Sequence, residues 1–349
     1  MIINDRDLKE KLKYLSFGIS KNNTDPSRYK AIRFKTVNGV VYGYTNNGIN
    51  NIKVEISSNV KKDFSAIIDY AQFSSFIKSC EGDITLETSG KFISIKTDIV
   101  KVKLPLYPNN TKDGGIPDPT KNINCTKTLS TTFRTDLIKL ILDTSHVVEA
   151  YRKVYFGKVM MISETDNVLI YDEQIFDKDI LLNYSSIELL NNLTNITYEY
   201  INDGEVPKLY IKSDEIEATI IIDLNDSNDY QYDDFMELFD IISTDEIEID
   251  TKIISKAVST SQLFKMTPIL TFNKDGIFLI IESVDFSYKI CDGNFKEIKF
   301  ELSTELARKI CSIGNTIKLY YNYSDSLIRC DYDNIKEILS VIEVKSNEW

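Results

Sequence analysis

Along the last part of the chain, Ile317, Leu319, Tyr321 and Tyr323 are spaced two apart. That is the period of a strand with one buried side. Just before them, Leu306, Ile310 and Ile313 share one face of a short helix while Arg308 lies opposite. Ser303 is placed to cap that helix, because its hydroxyl can accept an orphan backbone N–H, and Gly314 to end it. The module runs from Phe300 to Val344 as an extended lead-in, a helix and three alternating extended segments.

The same pattern occurs twice earlier. Ile67 to Tyr70 leads into a helix carrying Phe73, Phe76 and Ile77, and strand-like runs follow from Ile84 to Leu106. In the middle of the chain, Leu181 to Tyr184 precedes Ile187, Leu190 and Leu193. Runs at Ile196 to Tyr200, Leu209 to Lys212 and Glu217 to Leu224 follow. Each copy is preceded by a second amphipathic helix, marked by Leu8, Leu12, Leu15 and Ile19, by Ile138, Ile141 and Leu142, and by Ile254, Ala257, Val258 and Ser261. After each comes a pair of strand-like runs, within Ala31 to Val54, Val154 to Tyr171 and Ile269 to Tyr288. A period of roughly 115 residues is an ordinary domain length, so the pattern reads as one domain used three times rather than a solenoid.

The predicted domains are 1–121, 122–244 and 245–349. The first ends in a linker at 105–121, where Pro105, Pro108, Pro117, Pro119 and the pair Gly114 and Gly115 cluster. The fold class is α+β, each domain placing two helices on antiparallel sheets.

Composition narrows the function. No apolar run approaches the eighteen or so residues a membrane span needs, and the charged N-terminus is unlike a signal peptide. The five cysteines form no CxxC pair and read as reduced thiols in the cytoplasm. His146 is the only histidine, which leaves little scope for histidine-based acid–base or metal chemistry. Fourteen Asp and Glu with no Lys or Arg lie between Ser213 and Asp250. Asp223, Asp226 and Asp229 there lack the glycine and spacing of a calcium loop, so the stretch reads as a solvated face and linker. No cofactor, metal or catalytic residue is expected, and the chain is not read as an enzyme. Trp349, in the polar tail KSNEW, is expected to fray.

The net charge of −12 argues against nucleic acid until its distribution is considered. The six expected helices (5–20, 70–80, 134–153, 185–195, 251–266 and 303–313) together carry +6, which leaves −18 for the rest. Positive helices in an acidic chain imply two surfaces of opposite sign if the helices share a face.

A threefold repeat of two helices and paired sheets, with positive helices, resembles the bacterial-type DNA sliding clamp, the β subunit of the replicative polymerase. Tyr70 to Phe73 with Gly82 to Leu86, the turn Arg152 to Gly157, and the run from Leu327 to Ile342 carry the likeness locally. The resemblance implies three clamp domains in a crescent, and two crescents closed head to tail into a ring. Twelve helices about 10 Å across would line an opening of roughly 30 Å, enough for duplex DNA and water. It also implies a non-enzymatic processivity factor that encircles duplex DNA without sequence preference. DNA polymerase and clamp loader would dock through short linear peptides.

The DNA-facing set would be Lys9, Lys13, Lys21, Arg28, Lys78, Arg134, Lys139, Arg152, Lys153, Tyr155, Lys252, Lys256, Arg308 and Lys309. Ring closure would use Ile99 and Val102 against Leu263 and Phe264. The peptide groove, between the second and third domains, would be walled by Tyr171, Ile175, Phe176, Tyr230, Tyr232, Phe235, Val341, Ile342 and Val344. In that groove the family's Thr-Asp-Gly-His-Arg-Leu run is replaced by Tyr171 to Phe176, its Phe-Pro-Asp-Tyr run is only echoed by Asp229 to Phe235, and its Met-Pro-Met ending has become Ser340 to Val344. Such divergence, in a chain rich in Ile, Asn, Lys and Tyr, would suit a phage-encoded clamp acting in an infected host or the bacterial cytoplasm. The alternatives are a clamp-like factor or replisome decoy that never closes, a carboxylate-metal nuclease, and a virion protein of repeated β domains.

Overall fold

The computed structural model describes residues 1–58, 60, 62–107, 116–119, 123–129, 153–156, 160–164, 167–171, 175–202, 206–222, 247–301, 316–322, 327–332, 335–340 and 342–343. Contacts divide the chain into two compact units, Met1–Ile138 with Leu182–Leu224, and Lys139–Leu181 with Asn225–Trp349. The middle repeat is thus shared between them.

In the first unit one sheet orders eight strands as Ser65–Asp69, Ala31–Val37, Val40–Asn46, Asn50–Ser57, Glu217–Ile221, Lys208–Lys212, Thr197–Ile201 and Lys127–Thr128. All its neighbouring strands pair antiparallel, including the seam between repeats where Lys53 faces Glu217 and Asn50 faces Ile220. A second sheet orders Ile2–Asn4, Asp83–Ser89, Phe92–Lys96 and Lys101–Pro105. Helices α1 (Asp5–Ser16), α2 (Tyr70–Lys78) and α3 (Tyr184–Asn191) belong to this unit. Leu8, Leu12 and Leu15 are buried from α1 and Phe73 and Ile77 from α2, as their spacing predicts. Phe34 lies edge-on to Phe73, with ring centres 5.4 Å apart.

The second unit repeats the plan. One sheet orders Ile180–Asn183, Lys153–Phe156, Met160–Glu164, Asn167–Tyr171, Ile335–Ser340, Leu327–Tyr332, Thr316–Asn322 and Ile247–Asp250. The other orders Phe286–Cys291, Gly276–Ile281, Ile269–Asn273, Ile298–Glu301 and Ile342–Glu343. Helix α4 (Thr251–Ser261) buries Ile254, Ala257, Val258 and Ser261. Ile317, Leu319 and Tyr321 are buried together at period two; Tyr323 lies outside the described residues.

Three sequence expectations change. Where the pattern suggested a pair of strand-like runs there are three strands in every copy: 31–37, 40–46 and 50–57, then 153–156, 160–164 and 167–171, then 269–273, 276–281 and 286–291. The first two strands turn on Asn38 and Gly39, both in the left-handed region at φ 51° and 78°. Helix α1 stops at Ser16, with Phe17 as its C-cap, and leaves Ile19 beyond it; Gly18 packs so closely on Thr45 that a Cβ there would stand 2.3 Å from the Thr45 hydroxyl oxygen. Leu193 likewise falls beyond α3. The expected linker is packed in part: Ile116 is buried with Ala31, Tyr44 and Ile67, and its carbonyl accepts a hydrogen bond from the buried Arg33 guanidinium. Among the described residues no helix is long and apolar enough to cross a membrane.

Gly276 is required by the second unit's five-stranded sheet. Its φ is +136°, and a Cβ there would stand 2.1 Å from the Cys291 carbonyl oxygen. Gly276→Ala is expected to cost about 1–3 kcal/mol from backbone strain alone. The check is a lowered denaturation midpoint, with the loss concentrated in hydrogen-exchange protection of Phe286–Cys291.

Candidate functional site

The described candidate interface residues sit on helices α1, α2 and α4, on the segment from Lys21 to Arg28, on the strand Lys153–Phe156, and beside the edges of the four- and five-stranded sheets. On α1, Asn4 is the N-cap, its side-chain oxygen accepting from the Arg6 N–H at 3.1 Å. Asp5 and Asp7 occupy the first turn and Lys13 the last, the arrangement the helix dipole favours. Lys13 is exposed, as are Lys21, Arg28 and Lys78 in the same unit. The Arg28 guanidinium stands 4.9 Å from the centre of the Tyr29 ring. Arg6 is exposed as well, and seven residues before Lys13 it lies on the same face of α1.

Lys9 departs from expectation. Its ammonium donates to Asp5 Oδ2 at 2.8 Å and to the Cys80 carbonyl at 2.7 Å, tying α1 to the second residue beyond α2. Lys9 is therefore a structural tether that would reach a phosphate only by releasing two acceptors. The hydrogen bond from Lys9 holds the Asp5 carboxyl below the usual carboxylate range, with backbone N–H groups of Gly82 and Arg6 assisting. A lowered folded-state pKa adds stability that is present above the unfolded value, near 4, and is lost as pH falls through the folded value. Asp5→Asn should therefore lower the melting temperature at pH 7, and the gap from wild type should close as acidification protonates the folded-state carboxyl.

In the second unit Lys252 and Lys256 are exposed on one face of α4, opposite the buried stripe, as expected. Asp250 caps this helix by accepting from the Lys252 N–H at 2.8 Å. Tyr155 is half-buried and its hydroxyl donates to Asp179 at 2.8 Å. Lys153 opens the strand Lys153–Phe156. Arg134, Lys139, Arg152, Arg308 and Lys309 lie outside the described residues.

Of the expected peptide-groove walls, Phe176 is a core residue: it is buried edge-on against Phe156 at 5.3 Å, and Ile175 beside it is buried too. An apolar pair in sequence does not distinguish a groove from a core, and packing decided for the core. Tyr171 closes the strand that pairs with Ile335–Ser340, and Ile342 pairs with Glu301. Tyr230, Tyr232, Phe235, Val341 and Val344 lie outside the described residues, as do Asp223, Asp226 and Asp229. Among the described residues no three His, Cys, Asp or Glu gather as metal ligands.

The four expected closure residues flank two sheet edges. Ile99 is 93% exposed in the turn before Lys101–Pro105, the edge strand of the four-stranded sheet, and Val102 lies half-buried in that strand. Leu263 is 78% exposed, and Phe264 stands 5.3 Å from Phe286 in Phe286–Cys291, the edge strand of the five-stranded sheet. Met266 and Val284 extend this second apolar patch.

No protein-family model matches the sequence, and no curated protein matches it either. Solved structures do. A Helicobacter pylori beta clamp bound to a DNA ligase peptide aligns with a TM-score of 0.74 at 16% identity, over 98% of this chain and 99% of that one. The DNA polymerase sliding clamp of Caulobacter crescentus aligns at 0.73 and 13%, over 98% and 99%. DNA polymerase III subunit beta of Borrelia burgdorferi aligns at 0.75 and 14%, over 98% of each chain. The fold is that of the bacterial sliding clamps from end to end. These neighbours are bacterial and lend a phage origin no support.

Proposed function

We propose that the chain is a DNA sliding clamp: a non-enzymatic processivity factor of three domains, 1–121, 122–244 and 245–349. Two copies close head to tail around duplex DNA, and polymerase and clamp loader are held through short linear peptides. The observation that carries this reading is the likeness of fold over the full length of both chains. The exposed cations of α1, α2 and α4 then form part of an inner surface. Lys and Arg contacts to phosphate are independent of sequence and labile in salt, so retention comes from topology and the ring can slide. Such a protein would work in the cytoplasm of a bacterium or of an infected host cell.

The chain's own seams support closure. They join Asn50–Ser57 to Glu217–Ile221 and Asn167–Tyr171 to Ile335–Ser340. By position in the repeat, the counterpart of the first member in the third copy is Phe286–Cys291. That of the second member in the first copy is Lys101–Pro105. Both are open edges among the described residues. The hairpins match: Lys96 pairs Lys101 as Lys212 pairs Glu217, across turns 97–100 and 213–216 of equal length. Val100 thus corresponds to Ile216, which is 3% exposed where Val100 is 46% exposed. A second copy pairing these edges would cover Val100, Ile99 and the Leu263 patch and remove two strand edges that invite aggregation.

The test is the mass in solution at micromolar concentration, together with retention on nicked circular DNA before and after linearisation. A clamp is a dimer that stays on the circle and runs off cut ends. A monomer that leaves both templates alike would favour the clamp-like factor that never closes.

A further inference from the structure

Two hairpins in different repeats share one plan, and together they fix how two copies of the chain meet. In the first repeat Val37 and Val40 flank a two-residue turn, and the pairing of Val40–Asn46 with Asn50–Ser57 slips between Val41 and Tyr42. In the third repeat Asn273 and Gly276 flank a two-residue turn, and the pairing of Gly276–Ile281 with Phe286–Cys291 slips between Ile277 and Phe278, at the same distance from the turn. A bulge pins the count along a strand. Lys53 therefore corresponds to Ser287, and Ile52 to Phe286. On the other edge Glu217 corresponds to Lys101, and Ala218 to Val102. At the seam inside the first unit Glu217 faces Lys53 and Ala218 faces Ile52.

We propose that a second copy of this chain closes the ring in one register, with Val102 opposite Phe286 and Lys101 opposite Ser287; the inference deepens the clamp reading and rests on it. Burial agrees with this register. Ala218 and Ile52 are both buried at the inner seam, and Val102 and Phe286 are both half-buried at edges that stand uncovered in the single chain, while Lys101 and Ser287 are both exposed. A slip of one residue would set the Lys101 face of one strand beside the Phe286 face of the other. Charge separates the two seams. Inside the chain the Lys53 ammonium stands 3.1 Å from the Glu217 carboxylate. Lys101 and Ser287 take those two places at the closing seam, which therefore lacks the ion pair. The exchange also keeps the edges sorted. Lys101–Pro105 laid on Asn50–Ser57 would bring Lys101 against Lys53, and like charges directly opposite are unfavourable. The closing strand is thereby kept from displacing Glu217–Ile221.

The experiment is disulfide trapping of the full chain under oxidised glutathione, with the dimer mass of the wild-type chain measured alongside. Successive pairs in an antiparallel ladder alternate between close and wide spacing. Either Val102→Cys with Phe286→Cys or Lys101→Cys with Ser287→Cys should therefore give a covalent dimer above the background set by the five native cysteines. Leu104→Cys with Phe286→Cys, two residues out of register, should not. Charge gives an independent reading. Ser287→Glu should tighten the dimer about 2- to 30-fold, because the new ion pair forms at both seams of the ring, and the gain should vanish in 1 M salt. Ser287→Lys should loosen it, and adding Lys101→Glu to that chain should restore it. In a chain that dimerises, trapping from neither in-register pair, or a Ser287→Lys defect that Lys101→Glu does not rescue, overturns the register and leaves the clamp reading standing. A wild-type chain that stays monomeric at micromolar concentration overturns both.

Discussion

Leu263→Asp is expected to turn a dimer into a monomer and abolish retention on nicked circular DNA, and Ile99→Asp to do the same from the other side of the seam. Both side chains are almost wholly exposed in the single chain, so neither change should alter folding. Covering a Leu or Ile side chain contributes about 1.5–3 kcal/mol. A ring of two has two identical seams, so each substitution acts twice, and the dimer should weaken by roughly 3–6 kcal/mol, about 100- to 10,000-fold in dissociation constant. Head-to-tail closure predicts a distinctive outcome when the two variants are mixed. One seam then joins the two altered ends and stays open, while the other joins two native ends and forms. Dimer mass should return while circle retention does not. Sedimentation of the mixture beside a DNA-retention assay reads both, and a mixture that regains neither dimer nor retention would rule out head-to-tail pairing through these patches.

How much of this was legible in the sequence follows from what kind of signal each feature leaves. Ile317, Leu319 and Tyr321 are buried at the period-two spacing that marked the strand, and Ile254, Ala257, Val258 and Ser261 form the stripe that marked α4. A periodic face leaves its pattern whatever the rest of the molecule does. The division of each pair of runs into three strands was missed because a tight turn is encoded by only two or three residues. In the first copy the Asn38 and Gly39 pair and the Asn47 and Gly48 pair were such signals and were available.

Lys9 shows the limit of charge counting. Asp5 and Lys9 stand four apart, the spacing of a helical ion pair, and the Cys80 carbonyl that completes the tether comes from a distant part of the chain. Phe176 shows a second limit, since only the presence of Phe156 against it separates core from groove. Edge strands are harder still. That Lys101–Pro105 and Phe286–Cys291 lack outer neighbours among the described residues is a matter of topology, and only the comparison of hairpins between repeats makes the two edges counterparts.

The closing edge is only as good as the sheet behind it, and in the second unit that sheet is fixed by Phe272. The ring is fully buried in Ile269–Asn273, with centres 5.9 Å from Phe300, 6.0 Å from Phe295 and 4.8 Å from Tyr321. Phe300 belongs to the same sheet and Tyr321 to the eight-stranded one, so a single side chain ties the two sheets of the unit together. Phe272→Ala should cost about 3–5 kcal/mol through lost burial and the cavity left among three aromatic rings. For a unit of this size that is a fall of roughly 6–20 °C in melting temperature. Phe272→Leu, which keeps most of the volume, should cost much less. Dimer formation should track stability: weakened in the alanine variant at 37 °C and recovered on cooling, because the Leu263 and Phe264 patch is unaltered. Thermal unfolding with sedimentation at two temperatures checks this. An alanine variant melting within about 3 °C of wild type would mean that the sheets are held by something other than this cluster.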